Sequence, residues 1–202
     1  MLNTSANIKE PGLNVLPPGV ERYIVNGGGL TGVQILPDDE IEIINNEGNQ
    51  ICEISVFNKE GKSEPAILNL KENNNASEIK KILSKKDESS LIALHQLKKR
   101  NLDISKSKSS IIFDKDTSWG EKVKIKSKDK CYCIFAAPGA EMLVHEQNPP
   151  TDLTIFVKRA KITKDKEHHV IPDPMFDPLS ETNIDRATAI SFQVKEGDYI
   201  QV

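Results

Sequence analysis

The chain has 202 residues, 37% of them hydrophobic, which is enough to bury one large core or two small ones. Its formal net charge of -3 supplies no basic surplus to neutralise a phosphate backbone, so nucleic acid is not an expected partner. The longest apolar stretches, at residues 131–138 and 153–157, are far shorter than the roughly 20 residues that span a bilayer, so a membrane is not an expected partner either.

The cellular location is predicted from the N-terminus and the cysteines. The first residues lack the basic region and apolar run of a secretory signal. The three cysteines are an odd number in a long chain, which argues against a secreted disulfide scaffold. We therefore predict a cytoplasmic protein with reduced thiols.

Short strands separated by turns are predicted between residues 21 and 70, after a leader at residues 1–20. The glycines at 27–29 and the sequence Pro-Asp-Asp at 37–39 are typical of turns. Apolar residues between these turns alternate with polar ones, as in half-buried strands. The predicted strands are residues 22–26, 32–36, 40–44 and 50–57. Together they indicate an antiparallel meander.

A Lys-rich segment at residues 71–118 is predicted to insert two short helices and a loop into the β structure. Asp87 is suited to the N-cap of the second helix, and the basic residues at 98–100 favour its C-terminal end. The face predicted to pack on the sheet consists of Leu91, Leu94 and Leu97. The Lys–Ser tract at residues 105–110 is predicted to be a loop.

Strands return at residues 119–166, in the second part of the same domain. The predicted strands are centred on Val123 and Ile125, on residues 131–136 and on residues 153–157. Residues 167–187 contain three prolines and are predicted to be a linker or an ordered crossing loop. The fold class that follows is mainly β, an antiparallel sandwich or barrel-like meander with a small α-helical insert.

The end of the chain resembles an earlier stretch. The sequence VQILPDDEIEI at residues 33–43 aligns with FQVKEGDYIQV at residues 192–202, with the apolar positions in register. We therefore predict that a second copy of one β-hairpin begins near residue 190. On this prediction residues 188–202 start a following β domain and the chain stops inside it.

The sequence GGGLTG at residues 27–32 satisfies the dinucleotide-binding pattern GxGxxG. That pattern holds a pyrophosphate where the third glycine opens a helix, because the helix N-terminus supplies the amide donors. Here β-branched residues and Pro37 follow, so no helix is predicted. We interpret the glycines as a turn.

Cysteines and histidines raise the possibility of a metal site. Cys131 and Cys133 are two positions apart in an apolar strand, so both thiols lie on one face and could join His145 on a soft metal. Zinc-binding cysteines normally lie further apart in a loop, so we interpret the pair as small core residues. His168 and His169 follow a charged segment and are interpreted as solvated, with a metal site as the alternative.

Other catalytic patterns are not met by this sequence. His145 and Glu146 match half of a zinc-protease helix, but Pro149 and Pro150 prevent the helix from continuing. No nucleophile elbow is found, and aromatic residues make up only 5% of the chain, too few to indicate a cage for a methylated ammonium group. We therefore assign no catalytic, cofactor-binding or metal-ligating residue to this chain.

Several runs of sequence resemble a family of long bacterial proteins. They are AAPGAEMLVHEQNPPTDL at residues 136–153, FVKRA at 156–160 and ATAISFQVKEGDYIQV at 187–202. These runs are similar to a segment near the start of aminomethyltransferase-family proteins, among them demethylases of trimethylamine N-oxide. The resemblance covers residues 11–70 and 119–202.

The resemblance implies that this chain is the N-terminal segment of such an enzyme. A urea-carboxylase-associated domain and a folate-binding domain would follow in the same polypeptide. The implied reaction converts trimethylamine N-oxide to dimethylamine and formaldehyde, with zinc and iron in the parent protein and tetrahydrofolate capturing the formaldehyde. The family's zinc-binding cysteines belong to the following domain, so the resemblance places no site residue here. A different methylated amine is an open alternative for the substrate, and a homo-oligomer is a further expectation.

A second hypothesis comes from a different functional class. The chain could be a free-standing β-domain that serves as a binding or oligomerisation module without catalysis. Reading the coding sequence beyond Val202 distinguishes the two hypotheses, because only the first requires further domains.

Overall fold

The computed structural model describes residues 16–74, 76–85, 88–139, 149–161, 182, 184, 188–195 and 200. The strands are β1 (Val20–Val25), β2 (Leu30–Ile35), β3 (Glu40–Asn45), β4 (Cys52–Asn58), β5 (Ser109–Phe113), β6 (Lys122–Lys126), β7 (Cys131–Ala136) and β8 (Leu153–Lys158). The helices are α1 (Glu78–Ser84) and α2 (Glu88–Lys99), and the 3₁₀ turns are Pro65–Leu68 and Ile104–Lys106.

The strands form two four-stranded antiparallel sheets that enclose a core between them. The first sheet has the order β1-β8-β3-β6, and the second has the order β2-β7-β4-β5. In β3 and β8 every second side chain, such as Ile43 or Ile155, is fully buried between the sheets. The predicted mainly β sandwich with a helical insert is therefore confirmed, and the described strands do not close into a barrel.

The helices cover the outer face of the second sheet. Phe57 on β4 and Ile134 on β7 form a second apolar cluster with Ile79 and Leu97 from the two helices. These strands are therefore buried on both faces, which explains the continuous apolar run at residues 131–136.

The strand order contradicts the predicted meander. β2 and β3 belong to different sheets, so residues 33–43 connect the sheets and do not form a hairpin. Asp38 has a φ of 67°, and the backbone N–H of Leu36 donates to the Asp39 carboxylate at 2.9 Å, which closes the turn. Ile35 and Ile41 enter one core from opposite sides, and this gives the same apolar alternation as a hairpin.

The two predicted helices are present, but the buried face of α2 differs from the prediction. Leu91 is 54% exposed, whereas Leu97 is buried and Leu94 packs beside it. Steps of three residues rotate each side chain by about 60°, so Leu91 and Leu97 lie about 120° apart on a helix. Ser90 takes the buried position and donates a 2.8 Å hydrogen bond to the carbonyl of Ile82. Asp87 lies outside the described residues.

The Lys–Ser tract at residues 105–110 is not a loop throughout, which corrects the prediction. β5 begins at Ser109 and pairs with β4 in the second sheet. The hydroxyl groups of Ser55 and Ser109 lie 2.7 Å apart, and Ser110 donates to the carbonyl of Lys71 at 2.7 Å. Hydrogen bonding lets these polar side chains be buried in a strand, which a composition-based prediction misses.

The C-terminal residues are described only in part. No strand occurs among residues 188–195, and Phe192 is 61% exposed. The linker predicted at residues 167–187 falls almost entirely outside the described residues, so it stays a prediction, as does the following domain. Within the described part, neither helix has the length and apolar character needed to cross a membrane.

Candidate functional site

Four connections meet at one end of the sandwich, which we call the loop end. They link β1 to β2, β3 to β4, β5 to β6 and β7 to β8. Loops at one end of a β-sandwich are a common place for binding surfaces, since the sheets hold them in fixed positions. The connections are residues 26–29, 46–51, 114–121 and 137–152, of which residues 140–148, including His145, lie outside the described residues.

Gln50 holds both flanks of the β7–β8 connection. Its side chain is buried, with the residue only 4% exposed, and Nε2 donates to the carbonyl of Pro138 at 2.9 Å. Oε1 of the same amide accepts a 2.7 Å hydrogen bond from the backbone N–H of Thr151. One side chain therefore fixes where the connection leaves β7 and where it enters β8.

The glycine turn predicted at residues 27–29 is confirmed and packs against the same connection. Gly28 has a φ of 78°, and the N–H of Gly29 donates to the carbonyl of Asn26 at 2.8 Å. The N–H of Gly28 also donates to the carbonyl of Ala137 at 2.7 Å. The turn therefore supports the start of the β7–β8 connection.

Position 27 needs a glycine because the backbone of Pro150 lies very close to it. A Cβ at this position would lie 2.2 Å from the carbonyl oxygen of Pro150, and backbone atoms do not give way easily. The N–H of Gly27 donates to Oδ1 of Asp152 at 2.8 Å. The first glycine of the GxGxxG match therefore contacts protein backbone.

Gly32, the last glycine of that match, lies within β2, so the rejection of a nucleotide-binding helix is confirmed. A Cβ on Gly32 would lie 2.0 Å from the Tyr132 hydroxyl oxygen. The Tyr132 ring lies over this glycine and under the guanidinium of Arg100, which is 4.4 Å from the ring centroid. Sequence reasoning did not anticipate this packing role.

Two asparagines hold the β3–β4 connection: Asn45 bonds within it, and Asn46 bonds to the neighbouring β7–β8 connection. Asn45 is fully buried; its Nδ2 donates to the carbonyl of Gln50 at 2.8 Å and its Oδ1 accepts from the N–H of Gly48 at 3.0 Å. Asn46 donates to the carbonyl of Asp152 at 3.0 Å. These amides were missed from sequence because asparagines in a turn are expected wherever a turn occurs.

Trp119 projects from the β5–β6 connection at the loop end and is 80% exposed. The backbone around it is fixed, because the N–H of Gly120 donates to the carbonyl of Asn45 at 2.8 Å. A Cβ on Gly48 would lie 2.8 Å from the backbone nitrogen of Trp119, so the β3–β4 and β5–β6 connections are in close contact. The loop end thus presents an indole from an ordered backbone.

Cys131 and Cys133 lie side by side in the core, as predicted from their spacing, with sulfur atoms 3.7 Å apart. The hydrogen bond from Cys133 lowers the pKa of the Cys131 thiol, whereas burial raises the pKa of Cys133 well above its ordinary value. His168 and His169 lie outside the described residues. The described part of the chain contains no group of three or more His, Cys, Asp and Glu side chains placed to hold a metal ion.

The cofactors implied by the family resemblance have no fitting residues in the described part. Two thiols supply half of a tetrahedral zinc site. The described carboxylates of the loop end form no group of three or more that could hold a metal ion; they are Glu47, Asp114, Asp116, Glu121 and Asp152. We therefore assign no chemical step through zinc, iron or folate to these residues. The hydrogen bonds of the loop end hold the two described flanks of the β7–β8 connection.

A buried ionic cluster lies at the opposite end of the sandwich and was not predicted from sequence. Arg159, directly after β8, donates from Nε to Glu21 at 2.8 Å and from a terminal nitrogen to Asp39 at 2.6 Å. Tyr23 donates to the same Glu21 carboxylate at 2.7 Å. The one available signal was an arginine in a chain whose basic residues are nearly all lysine.

The carboxylates of this cluster favour the charged form of Arg159. Burial by itself lowers the pKa of Arg159, but the hydrogen bonds that its guanidinium donates to Glu21 and Asp39 raise this pKa above its ordinary value. Burial, and then the hydrogen bond to Glu21, raise the pKa of Tyr23. Asp39 also accepts from the N–H of Ala160 at 3.0 Å, so the cluster fixes the chain as it leaves β8.

Comparison with known proteins identifies a relative of this chain. The chain is 33% identical over 196 residues to the trimethylamine-oxide aldolase of Ruegeria pomeroyi. The chain is thus related to a trimethylamine-oxide aldolase. The alignment covers 96% of this chain and 25% of the aldolase, so the chain spans about a quarter of the length of that relative. No protein-family model matches the chain.

The alignment with the aldolase supports the relationship predicted from the sequence runs at residues 136–160 and 187–202. It extends over nearly all of the chain, so it includes the two sheets and the loop end. A urea-carboxylase-associated domain stays a prediction.

Proposed function

We propose that this chain is a scaffold segment of an enzyme that demethylates trimethylamine N-oxide. The observation that supports the proposal is the 33% identity to a trimethylamine-oxide aldolase over 96% of the chain. Because the chain spans 25% of that relative, the residues that perform the chemistry are proposed to lie in the rest of a longer polypeptide. Its reduced, buried thiols suit the cytoplasm.

The proposed reaction splits trimethylamine N-oxide into dimethylamine and formaldehyde. One carbon–nitrogen bond, the nitrogen–oxygen bond and one C–H bond of the same methyl group break. A C=O bond forms on the released carbon, and the hydrogen ends on the nitrogen of dimethylamine. The atoms balance without an external oxidant. Dependence on zinc and iron, and capture of formaldehyde by tetrahydrofolate, are further parts of the proposal. A sibling enzyme acting on another methylated amine would share this scaffold.

The loop end is the proposed contact between this scaffold and the catalytic part. Gln50, Gly27 and Asp152 anchor both flanks of the connection that contains the run AAPGAEMLVHEQNPPTDL. Anchoring a long connection at both ends reduces the conformations it must give up on docking. We propose that this connection contacts the neighbouring domain.

The test is to express the 202-residue chain and the complete polypeptide encoded by its gene. With ferrous iron, zinc and trimethylamine N-oxide, the complete polypeptide is expected to release formaldehyde, and the short chain is expected to release none above a heat-killed control. A complete polypeptide without this activity would contradict the substrate. Formaldehyde release by the short chain would contradict the scaffold role.

A non-catalytic binding module is the second candidate, favoured by the 80% exposed Trp119 at the loop end. Large aromatic side chains on an ordered surface are frequent anchors of protein interfaces. A stop codon directly after the codon for Val202 would support this candidate. Further coding sequence that resembles the rest of the aldolase would support the scaffold proposal.

A further inference from the structure

The outer face of the first sheet carries a central apolar patch. Side chains alternate along a strand. In β1, β3 and β8 every second side chain points into the core, so the side chains between them face outward. The apolar members of this face are Val20, Ile24, Phe156 and Ile44. Ile24 is 41% exposed, and the other three are half-buried.

Opposite charges flank the patch on either side of β8. In the strand register Phe156 pairs with Arg22 on β1 and with Glu42 on β3, so the three form one row across the sheet. Within the described part of the chain Arg22 has no ion pair. Glu42 has only loose contacts of 3.5 Å with Lys122 and Lys124, whose side chains are more than half exposed.

The adjacent row has an isoleucine on each side of β8. Thr154 on β8 pairs with Ile24 on β1 and with Ile44 on β3. β8 therefore runs down the middle of the patch, with Arg22 and Ile24 of β1 on one side and Glu42 and Ile44 of β3 on the other. The two sides carry opposite charges, arginine on β1 and glutamate on β3.

A two-fold axis along β8 makes this face complementary to itself. Rotation by 180° about such an axis lays β1 of one copy over β3 of the other and keeps each row in place. Arg22 then faces the partner copy's Glu42, and Ile24 faces the partner copy's Ile44. Phe156 meets its own counterpart on the axis, and both charge pairs form at once. In the next row the exposed Lys158 lies beside its counterpart on the axis, between Glu40 of its own copy and the partner copy's Glu40.

From this geometry we propose that two copies of this chain associate through the outer faces of their first sheets. The occupant of the patch is a second copy of the chain, which supplies an anion for each Arg22 and covers the exposed Ile24 and the half-buried Ile44. Facing sheets pack about 10 Å apart, a distance that arginine and glutamate side chains bridge from both sides. The proposal is independent of the demethylase function.

Charge exchange tests the proposed pairing in the full 202-residue chain. The variants are Arg22→Glu, Glu42→Arg and the double exchange, with Lys98→Glu as a matched control on α2, which packs over the other sheet. Sedimentation equilibrium measures the dissociation constant, and circular dichroism confirms that each variant is folded. Each single exchange places like charges together and is expected to weaken the dimer at least about tenfold. The double exchange is expected to restore it to within about threefold, and the control is expected to have no effect.

Cross-linking gives a second readout that leaves Arg22 and Glu42 unchanged. A Thr154→Cys variant places one thiol beside the proposed axis in each copy, and a short bismaleimide is expected to join two chains. Lys98→Cys serves as the control and is expected to stay uncrosslinked.

Three results would overturn the proposal. The first is a wild-type chain that is monomeric at about 200 µM, a concentration well above the dissociation constants of specific dimers. The second is a dimer whose stability is unchanged by the single exchanges. The third is a dimer that the single exchanges weaken but the double exchange does not restore.

Discussion

The side-chain amide of Gln50 donates a 2.9 Å hydrogen bond to the carbonyl of Pro138, 88 positions further along the chain. The same amide accepts from the backbone N–H of Thr151. The two described flanks of the β7–β8 connection are therefore held by a side chain that lies outside it. Replacing Gln50 is therefore the most direct test of the hydrogen bonds at the loop end.

Replacing Gln50 with leucine is expected to lower the free energy of unfolding by about 2–3 kcal/mol. Leucine has a similar size but leaves the Pro138 carbonyl and the Thr151 N–H without partners in a buried setting, and each such group costs about 1–3 kcal/mol. Urea unfolding measures the change. The matched control is Gln193→Leu at an exposed position, expected to stay within about 0.5 kcal/mol of wild type. Equal effects of the two variants would contradict the role of Gln50.

Replacing Gly27 with alanine is expected to destabilise the fold by about 1–3 kcal/mol, because the added Cβ would meet the carbonyl oxygen of Pro150 at 2.2 Å. Gly139→Ala is the control, since its added Cβ would come no closer than 3.4 Å to the flexible ring of Pro150. Thermal unfolding of both variants is the measurement. A Gly27→Ala protein as stable as Gly139→Ala would show that the glycine turn is not closely packed.

Strands with a clear apolar pattern were predictable from sequence, and their partners were not. β6 and β8 were placed from the alternation of Ile125 and Ile155 with polar residues, which reports one buried face. The sheet to which a strand belongs is decided by the geometry of connections such as residues 36–39, and both possible arrangements give the same alternation.

The loop end was not predictable for a related reason. Gln50 and Asn45 are polar residues next to a turn, where sequence reasoning expects solvation. Gln50 is buried because its amide satisfies backbone groups 88 and 101 positions away, at Pro138 and Thr151. Asn45 is buried because its amide closes the β3–β4 connection through Gln50 and Gly48. The Arg159 cluster likewise joins residues more than 100 positions apart. Single-sequence patterns contain no record of such pairings.

Replacing Cys131 and Cys133 together, with alanine and valine, is expected to leave the metal content of the purified chain unchanged. The two thiols lie in the apolar core, and the Ser127 hydroxyl lies 3.9 Å from the Cys131 sulfur. Elemental analysis before and after replacement is the measurement, with Cys52→Ala as a control at another buried position. Loss of a stoichiometric metal in the double variant alone would restore the metal-ligand hypothesis.

Replacing Arg159 with methionine is expected to cost about 3–5 kcal/mol, because the Asp39 carboxylate would be left buried without its cation. Lys158→Met removes the same charge from the exposed neighbouring residue and is expected to change stability by less than about 0.5 kcal/mol. Chemical denaturation of the two variants gives the comparison. A loss below about 1 kcal/mol for Arg159→Met would show that the cluster contributes little to the fold.

Replacing Tyr23 with phenylalanine is expected to change how stability depends on alkaline pH. Burial and the hydrogen bond to Glu21 raise the pKa of Tyr23 in the folded chain, whereas tyrosine in the unfolded chain ionises near pH 10. Above that pH the unfolded state loses the tyrosine proton while the folded state keeps it, so ionisation stabilises the unfolded state. The contribution of Tyr23 is therefore fully present below pH 10 and decreases as the pH rises further.

At pH 8 the Tyr23→Phe variant is expected to be about 1 kcal/mol less stable than wild type, since it lacks the 2.7 Å hydrogen bond to Glu21. Between pH 10 and pH 11 this difference is expected to shrink, because the wild type alone loses stability through Tyr23. All other lysines and tyrosines titrate in both proteins, so the difference between the two urea unfolding curves isolates this one group. A difference that stays constant from pH 8 to pH 11 would mean that Tyr23 ionises equally in the folded and unfolded chains, and the buried contact with Glu21 would then not persist in solution.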